Sequence, residues 1–108
     1  MGDRGQARHF AELALAQEEP LAAPYALYTL ALIAQAQDDP SQARRLLQRC
    51  IAAGERNDDH FIQAHAWLKL AQLLPPEDET LGEAAGHAAR LFGQLGIAGL
   101  AEEAWAMM

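Results

Sequence analysis

Ala26-Leu27-Tyr28-Thr29-Leu30-Ala31 returns 40 positions later as Ala66-Trp67-Leu68-Lys69-Leu70-Ala71, and this self-similarity decides the fold. Each copy carries apolar residues at helical spacing: Leu27, Leu30, Ala31 and Ala34 in the first, Trp67, Leu70, Ala71 and Leu74 in the second. Recurrence at i, i+3, i+4 and i+7 traces one face of a helix. Tyr28, Leu32 and Leu68 add a second apolar face, which a helix flanked on both sides needs. Another helix type repeats as well. Gln6-Ala7-Arg8 returns 36 positions later as Gln42-Ala43-Arg44, and Glu83-Ala84-Ala85 through Leu91-Phe92 reads as its third copy. Two helix types therefore alternate with a period near 36–41. A period of that length marks a helical solenoid, in which each helix pair buries its apolar face on the next.

Turn signals divide the chain into six helical stretches. The third is the sharpest: Asp39-Pro40-Ser41-Gln42 reads as an N-cap, a proline at the first helical position and a glutamine closing a capping box. Ala43, Leu46, Leu47, Cys50 and Ile51 then form one stripe, and Gly54 is expected to end the helix. The second helix lies between Pro24 (or Pro20) and Ala36, and the fourth runs from about His60 to Leu74, capped by Asn57 or Asp58. Pro75-Pro76 stops it. Thr80-Leu81-Gly82-Glu83 reads as a capping box for the fifth, which runs toward Gly96. The pattern gives one helical-repeat domain over 1–108: a leading helix at 6–17, repeats at 24–54 and 58–95, and a capping helix at 97–108.

Composition agrees. Of 108 residues, 24 are Ala, 16 Leu and 9 Gln, against 4 Ile, 2 Thr and no Val. Strands favour β-branched residues, whereas Ala, Leu and Gln enter helices at little cost. Sandwiches, barrels and parallel α/β sheets are excluded, and the chain is all-α. Its formal net charge of −7 is uneven: −1 over 1–54 and −6 over 55–108. Such a chain lacks the positive field that draws phosphate backbones, so neither nucleic acid nor an anionic membrane is expected as a partner. No apolar run approaches the roughly 20 residues of a membrane span. The opening Met1-Gly2-Asp3-Arg4-Gly5 has no apolar signal core, and Gln6 stands where a myristoylation pattern wants Ser or Thr. One cysteine, Cys50, allows no internal disulfide, so a cytoplasmic setting is expected.

The sequence resembles the tetratricopeptide family. A large residue, Leu and Ala on the first helix, followed twelve residues later by Ala on the second, is that family's spacing. Leu27, Leu30, Ala31, Ala43 and Leu47 occupy its consensus places, and Trp67, Leu70 and Ala71 begin the next repeat. The period near 40 is similar to the longer repeats of MalT-like bacterial regulators. The run from Tyr25-Ala26-Leu27 through Asn57-Asp58 to Trp67-Leu68 also resembles the repeats of anaphase-promoting complex subunit 5. The resemblance covers about 24–95. It departs from the family in two places: the consensus Gly-Tyr of the first helix is absent, and Pro75-Pro76-Glu77-Asp78-Glu79 lengthens one turn.

What the resemblance implies is an α-α superhelix of about six antiparallel helices whose concave groove binds a peptide or helix of another protein. Carried over position by position, the groove is Tyr25, Tyr28, Thr29, Leu32 and Gln35 from one repeat, with His65, Leu68, Lys69 and Gln72 from the next. The Lys- and Asn-rich clamp with which some members hold C-terminal carboxylates is missing. The function so implied is that of an adaptor, chaperone or regulator segment.

The residues themselves offer little for catalysis. His60 and His65 are five apart and do not share a helix face as an i, i+4 metal pair does. His9 with Glu12 is a spacing common by chance. Ser41 sits in a capping sequence and Cys50 on an apolar stripe, so neither reads as a nucleophile. No phosphate-cradling loop occurs, and Gly82, Gly86, Gly93, Gly96 and Gly99 are expected to admit tight helix packing. No catalytic residue, cofactor or metal is assigned, and the chain is not expected to be an enzyme. Two other surfaces stand out. Arg44, Arg45, Arg49 and Arg56 concentrate positive charge, with Asp38, Asp39, Glu55 and Asp58 as candidate ion-pair partners. Leu100, Trp105, Met107 and Met108 offer a self-association surface, so a homodimer with the groove or last helix filled by another copy is the second reading. A third is a compact bundle holding a small ligand or metal through His60, His65 and nearby carboxylates.

Overall fold

The structure, a computed structural model, describes residues 2–16 and 20–108. Gln17 of the expected leading helix lies outside them. The described residues form six helices and no strand: α1 (Gly2–Ala16), α2 (Ala23–Ala36), α3 (Pro40–Arg56), α4 (His60–Leu73), α5 (Glu79–Gln94) and α6 (Ala98–Ala106). Among the described residues, no helix is long and apolar enough to cross a membrane.

Three of the turns share one design. Asp38, Asp58 and Gly96 each take a left-handed φ, of 63°, 54° and 75°. The residue after each then bonds back to the sixth-last carbonyl: Asp39 N–H to Ala34 O, Asp59 N–H to Gly54 O and Ile97 N–H to Phe92 O, all at 2.9 Å. This is the Schellman arrangement, which satisfies helix-end carbonyls and reverses the chain. Asp tolerates the left-handed region better than most side-chain-bearing residues, and Gly enters it freely. The Asp-Asp doublets at 38–39 and 58–59 divide the work: the first residue turns the chain, the second caps the next helix.

Of the caps of α3, α4 and α5, the first is the expected residue and the other two are not. Asp39 accepts from Gln42 N–H at 3.2 Å at the expected N-cap, but its own N–H bonds to Ala34 O, so Gln42 does not close the expected box. For α4 the cap is Asp59, accepting from Ile62 N–H at 3.2 Å, not Asn57 or Asp58. For α5 it is Asp78, whose carboxylate accepts from Thr80 N–H at 2.9 Å and Thr80 Oγ1 at 2.6 Å. Thr80 is inside the helix, so the expected Thr80–Glu83 capping box does not form. The hydrogen bonds from Thr80 hold the Asp78 carboxyl below its ordinary pKa, with a small contribution from Arg44.

Packing follows chain order. Each helix contacts the next, and α2 also touches α4. Two apolar clusters result. The larger joins α2, α3, α4 and the start of α5, with Leu47 and Cys50 fully enclosed. The smaller joins α4, α5 and α6 around Phe92, also fully enclosed. Trp67 and Met107 pack against both. Ala31, Ala43, Ala71 and Ala84 are all buried, so small side chains stand where helices approach.

Glycine has a different role from the one expected. A Cβ at Gly82, Gly93, Gly96 or Gly99 would meet nothing within 4 Å, and at Gly86 only Met108 Cε at 3.5 Å. Those glycines do not mediate tight packing. Gly54 does: a Cβ there would lie 2.9 Å from Gln63 Cγ and 3.1 Å from Ile62 Cγ2. Nor does Gly54 end α3, which continues to Arg56. Its lack of a side chain brings α3 and α4 together just before their turn.

Candidate functional site

Helix α2 has no charged residue along its whole length, Ala23–Ala36. Its inward stripe, Leu27, Ala31 and Ala34, is buried, whereas Tyr25 and Leu32 are 42% and 38% exposed. Between them lie Thr29, which donates to Tyr25 O at 3.0 Å, and half-buried Tyr28; Gln35 is exposed. On α4 the corresponding outer stripe is His65, Lys69 and Gln72, half-buried, half-buried and exposed. Leu68 is not part of it. At 6% exposure it belongs to the smaller cluster, where α5 and α6 close over it, and it is not available to a partner.

The stripe contains a residue the sequence reading passed over. Phe61, one turn before His65, is 46% exposed. Its ring lies 4.6 Å from that of His65, which in turn meets Phe92 edge-on at 5.0 Å. Burial among these rings lowers the His65 pKa, favouring the neutral imidazole. Leu21, Tyr25, Phe61 and Leu95 line one shallow hollow with the 57–60 turn. Tyr25 also lines a second, of about 310 Å³, with Phe10 and Thr29. Phe10 and Leu21 are 66% and 74% exposed. An i, i+4 reading of Phe61 and His65 could have found the first of these; the others are adjacent only through folding.

Tyr25 is held in place. Its hydroxyl donates to Asp59 Oδ2 at 2.8 Å, while Asp59 Oδ1 caps α4. Burial, with the Asp59 hydrogen bond and charge adding to it, pushes the phenol up to about 12. Nearby, Asn57 Nδ2 donates to Pro20 O at 2.6 Å, and Cys50 Sγ donates to Pro24 O at 3.1 Å. The α3–α4 turn is thereby tied to the entry of α2. Burial pushes the Cys50 thiol up to about 12, with the Asp59 charge contributing, so a thiolate is disfavoured.

The other expected surfaces are placed as follows. Trp105 and Met108 are 59% and 60% exposed at the end of the chain, whereas Leu100 and Met107 pack partly into the core. The arginines do not form the anticipated ion pairs. Among the described residues the one such contact joins His60 Nε2 to Asp58 Oδ1 at 3.3 Å. Also among the described residues, no three of His, Cys, Asp and Glu are grouped to hold a metal.

On the other side of the helix stack, two gaps open between alternate helices. One, of about 280 Å³, separates α1 from α3 above α2, lined by Leu15, Ala23, Leu27, Arg49, Ala52, Ala53 and Arg56. The other, of about 500 Å³, separates α3 from α5 above α4. Its floor is Ile51, Trp67, Leu70, Leu74 and Ala84, and its polar wall is Arg44, Gln48, Glu55, Asp78, Thr80 and Glu83. By the 3.6-residue period, the Trp67/Leu70/Leu74 stripe and the His65/Lys69/Gln72 stripe lie on opposite sides of α4.

No family model, no curated protein and no solved structure matches this chain.

Proposed function

We propose that the six helices form a tetratricopeptide-like superhelix that acts as a protein-interaction module, receiving a peptide or helix of another protein along the outer faces of α2 and α4. One observation carries the reading. Helix α2 is wholly uncharged, yet it leaves Tyr25 and Leu32 about two-fifths exposed. A solvated surface helix ordinarily carries charge opposite its apolar stripe. Support for the superhelix comes from chain-order packing, the α2–α4 contact and the repeat period near 40. The partner segment is one of low charge, with apolar anchors for Tyr25, Leu32 and Phe61 and amides for Gln35 and Gln72. Because the helices hold these groups before the partner arrives, little ordering cost attaches to binding.

Photo-crosslinking in the source cell tests this reading. A benzophenone side chain at Gln35 or Gln72 is expected to trap a partner protein, and one at exposed Arg45 on α3 is not. Adducts from position 45 with positions 35 and 72 silent would overturn the assignment. A second reading, self-association, has its own support in Trp105 and Met108, both about three-fifths exposed. Sedimentation across a concentration series tests it: Trp105→Glu should dissociate a dimer, and a strictly monomeric native protein would exclude one.

A further inference from the structure

The gap between α3 and α5 takes no part in that reading, and its chemistry is specific. Its volume of about 500 Å³ falls within the roughly 300–1,000 Å³ usual for small-molecule sites. Three carboxylates, Glu55, Asp78 and Glu83, face it against one guanidinium, Arg44, leaving the lining at −2. Among the described residues, none of the three lies within ion-pair distance of Arg44. Trp67 contributes an indole ring to the floor, and His87 stacks on that ring at 4.4 Å and 21°. The stack fixes the indole. The turn Pro75-Pro76-Glu77-Asp78, longer than the α2–α3, α3–α4 and α5–α6 connections, brings Asp78 and Thr80 to the rim.

We propose that this cleft binds a small organic cation, an amine with an apolar body. The ammonium sits among Glu55, Asp78 and Glu83, and the body lies over Trp67 and Leu70. Carboxylates beside a low-dielectric wall concentrate cations, and an indole offers an apolar face to the body of the amine. The property does not come with the repeat. The α1–α3 gap is about half the volume and carries Arg49 and Arg56 instead.

The same ammonium chemistry could be presented by a lysine of a peptide, so the test has an arm for each source. In a Trp105→Phe background, Trp67 is the sole tryptophan and its fluorescence reports on the cleft. Phenethylamine is titrated beside its neutral and anionic counterparts, 2-phenylethanol and 3-phenylpropionate, and beside a lysine-containing acetylated pentapeptide amide. Phenethylamine is expected to give a saturable change, with the alcohol about fivefold weaker and the acid weaker still. Glu55→Gln with Glu83→Gln should weaken the amine about fivefold at low salt. Both glutamates are exposed, so the fold is unaffected, and circular dichroism verifies it. Equal response to amine, alcohol and acid, or an unchanged amine affinity in the double variant, overturns the proposal. So does binding of the peptide alone, which would assign the cleft to a partner's side chain.

Discussion

The two gaps on the α3 side occupy equivalent places in the repeat and have opposite chemistry. Helix α3 is the wall common to both. It presents Arg49, Ala52, Ala53 and Arg56 to one gap, and Arg44, Gln48, Ile51 and Glu55 to the other. The floors also correspond: Leu27 of the first gap and Trp67 of the second are 40 positions apart, in the same register of the repeat. Leu27 is 4% exposed and buried in the larger cluster, whereas Trp67 stays partly open. Chain-order packing of the helices fixes where such gaps lie. Their content is set by side chains that the helix-packing stripe leaves unconstrained, so one gap carries two arginines and the other three carboxylates against one arginine.

The largest way to break this comparison is at the first floor. Leu27→Ala is expected to cost about 2–5 kcal/mol, because it removes a fully packed side chain where α2 and α3 cannot collapse. Urea unfolding followed by circular dichroism measures it. Next is the distance between α3 and α4. Gly54→Ala forces a methyl toward Gln63 and Ile62 and should cost about 1–3 kcal/mol, again by urea midpoint. A loss near zero would show that the two helices separate freely there. Third, Trp67→Leu gives the second floor the residue type of the first. Only the His87 stack and some contact area are lost, so the urea midpoint should report a fall in stability of about 1 kcal/mol; a loss as large as that of Leu27→Ala would show that the second floor is packed as tightly as the first.

The smallest effect concerns the opposite side of α4. The His65 pKa is lowered in the folded state, so the unfolded chain binds its proton first as pH falls. Its contribution is fully present above the ordinary value of 6.5 and is lost as pH drops from there toward the folded value. Melting temperature should therefore decline more between pH 7.5 and 5.5 in the native protein than in His65→Phe. Parallel declines would place the acid sensitivity elsewhere.

Much of the fold was legible because its determinants are local. Pro40 after Asp39 marks a helix start wherever it occurs, and the Leu27/Ala31/Ala34 stripe needs no knowledge of a partner helix. The α4 cap was less legible than the α3 cap. The 38–39 and 58–59 doublets were visible, but which aspartate turns and which caps depends on a six-residue back-bond. Among the candidate site residues, Tyr25, Leu32, Gln35 and Gln72 do stand at the surface, as an outer helix stripe requires. Leu68 does not, because two later helices cover it, and Phe61 was missed because its exposure depends on what fails to cover it.

The sequence by itself determined an all-helical chain, the order and approximate limits of its helices, and the placing of small residues at their contacts. Each of these follows from propensity and from periodicities within a single turn or a single repeat. Only the tertiary structure decided which stripes remain open, how far α3 stands from α5, and which charges share a cleft. Exposure and proximity depend on several helices at once, and no helix's own pattern records the width of the gap beside it.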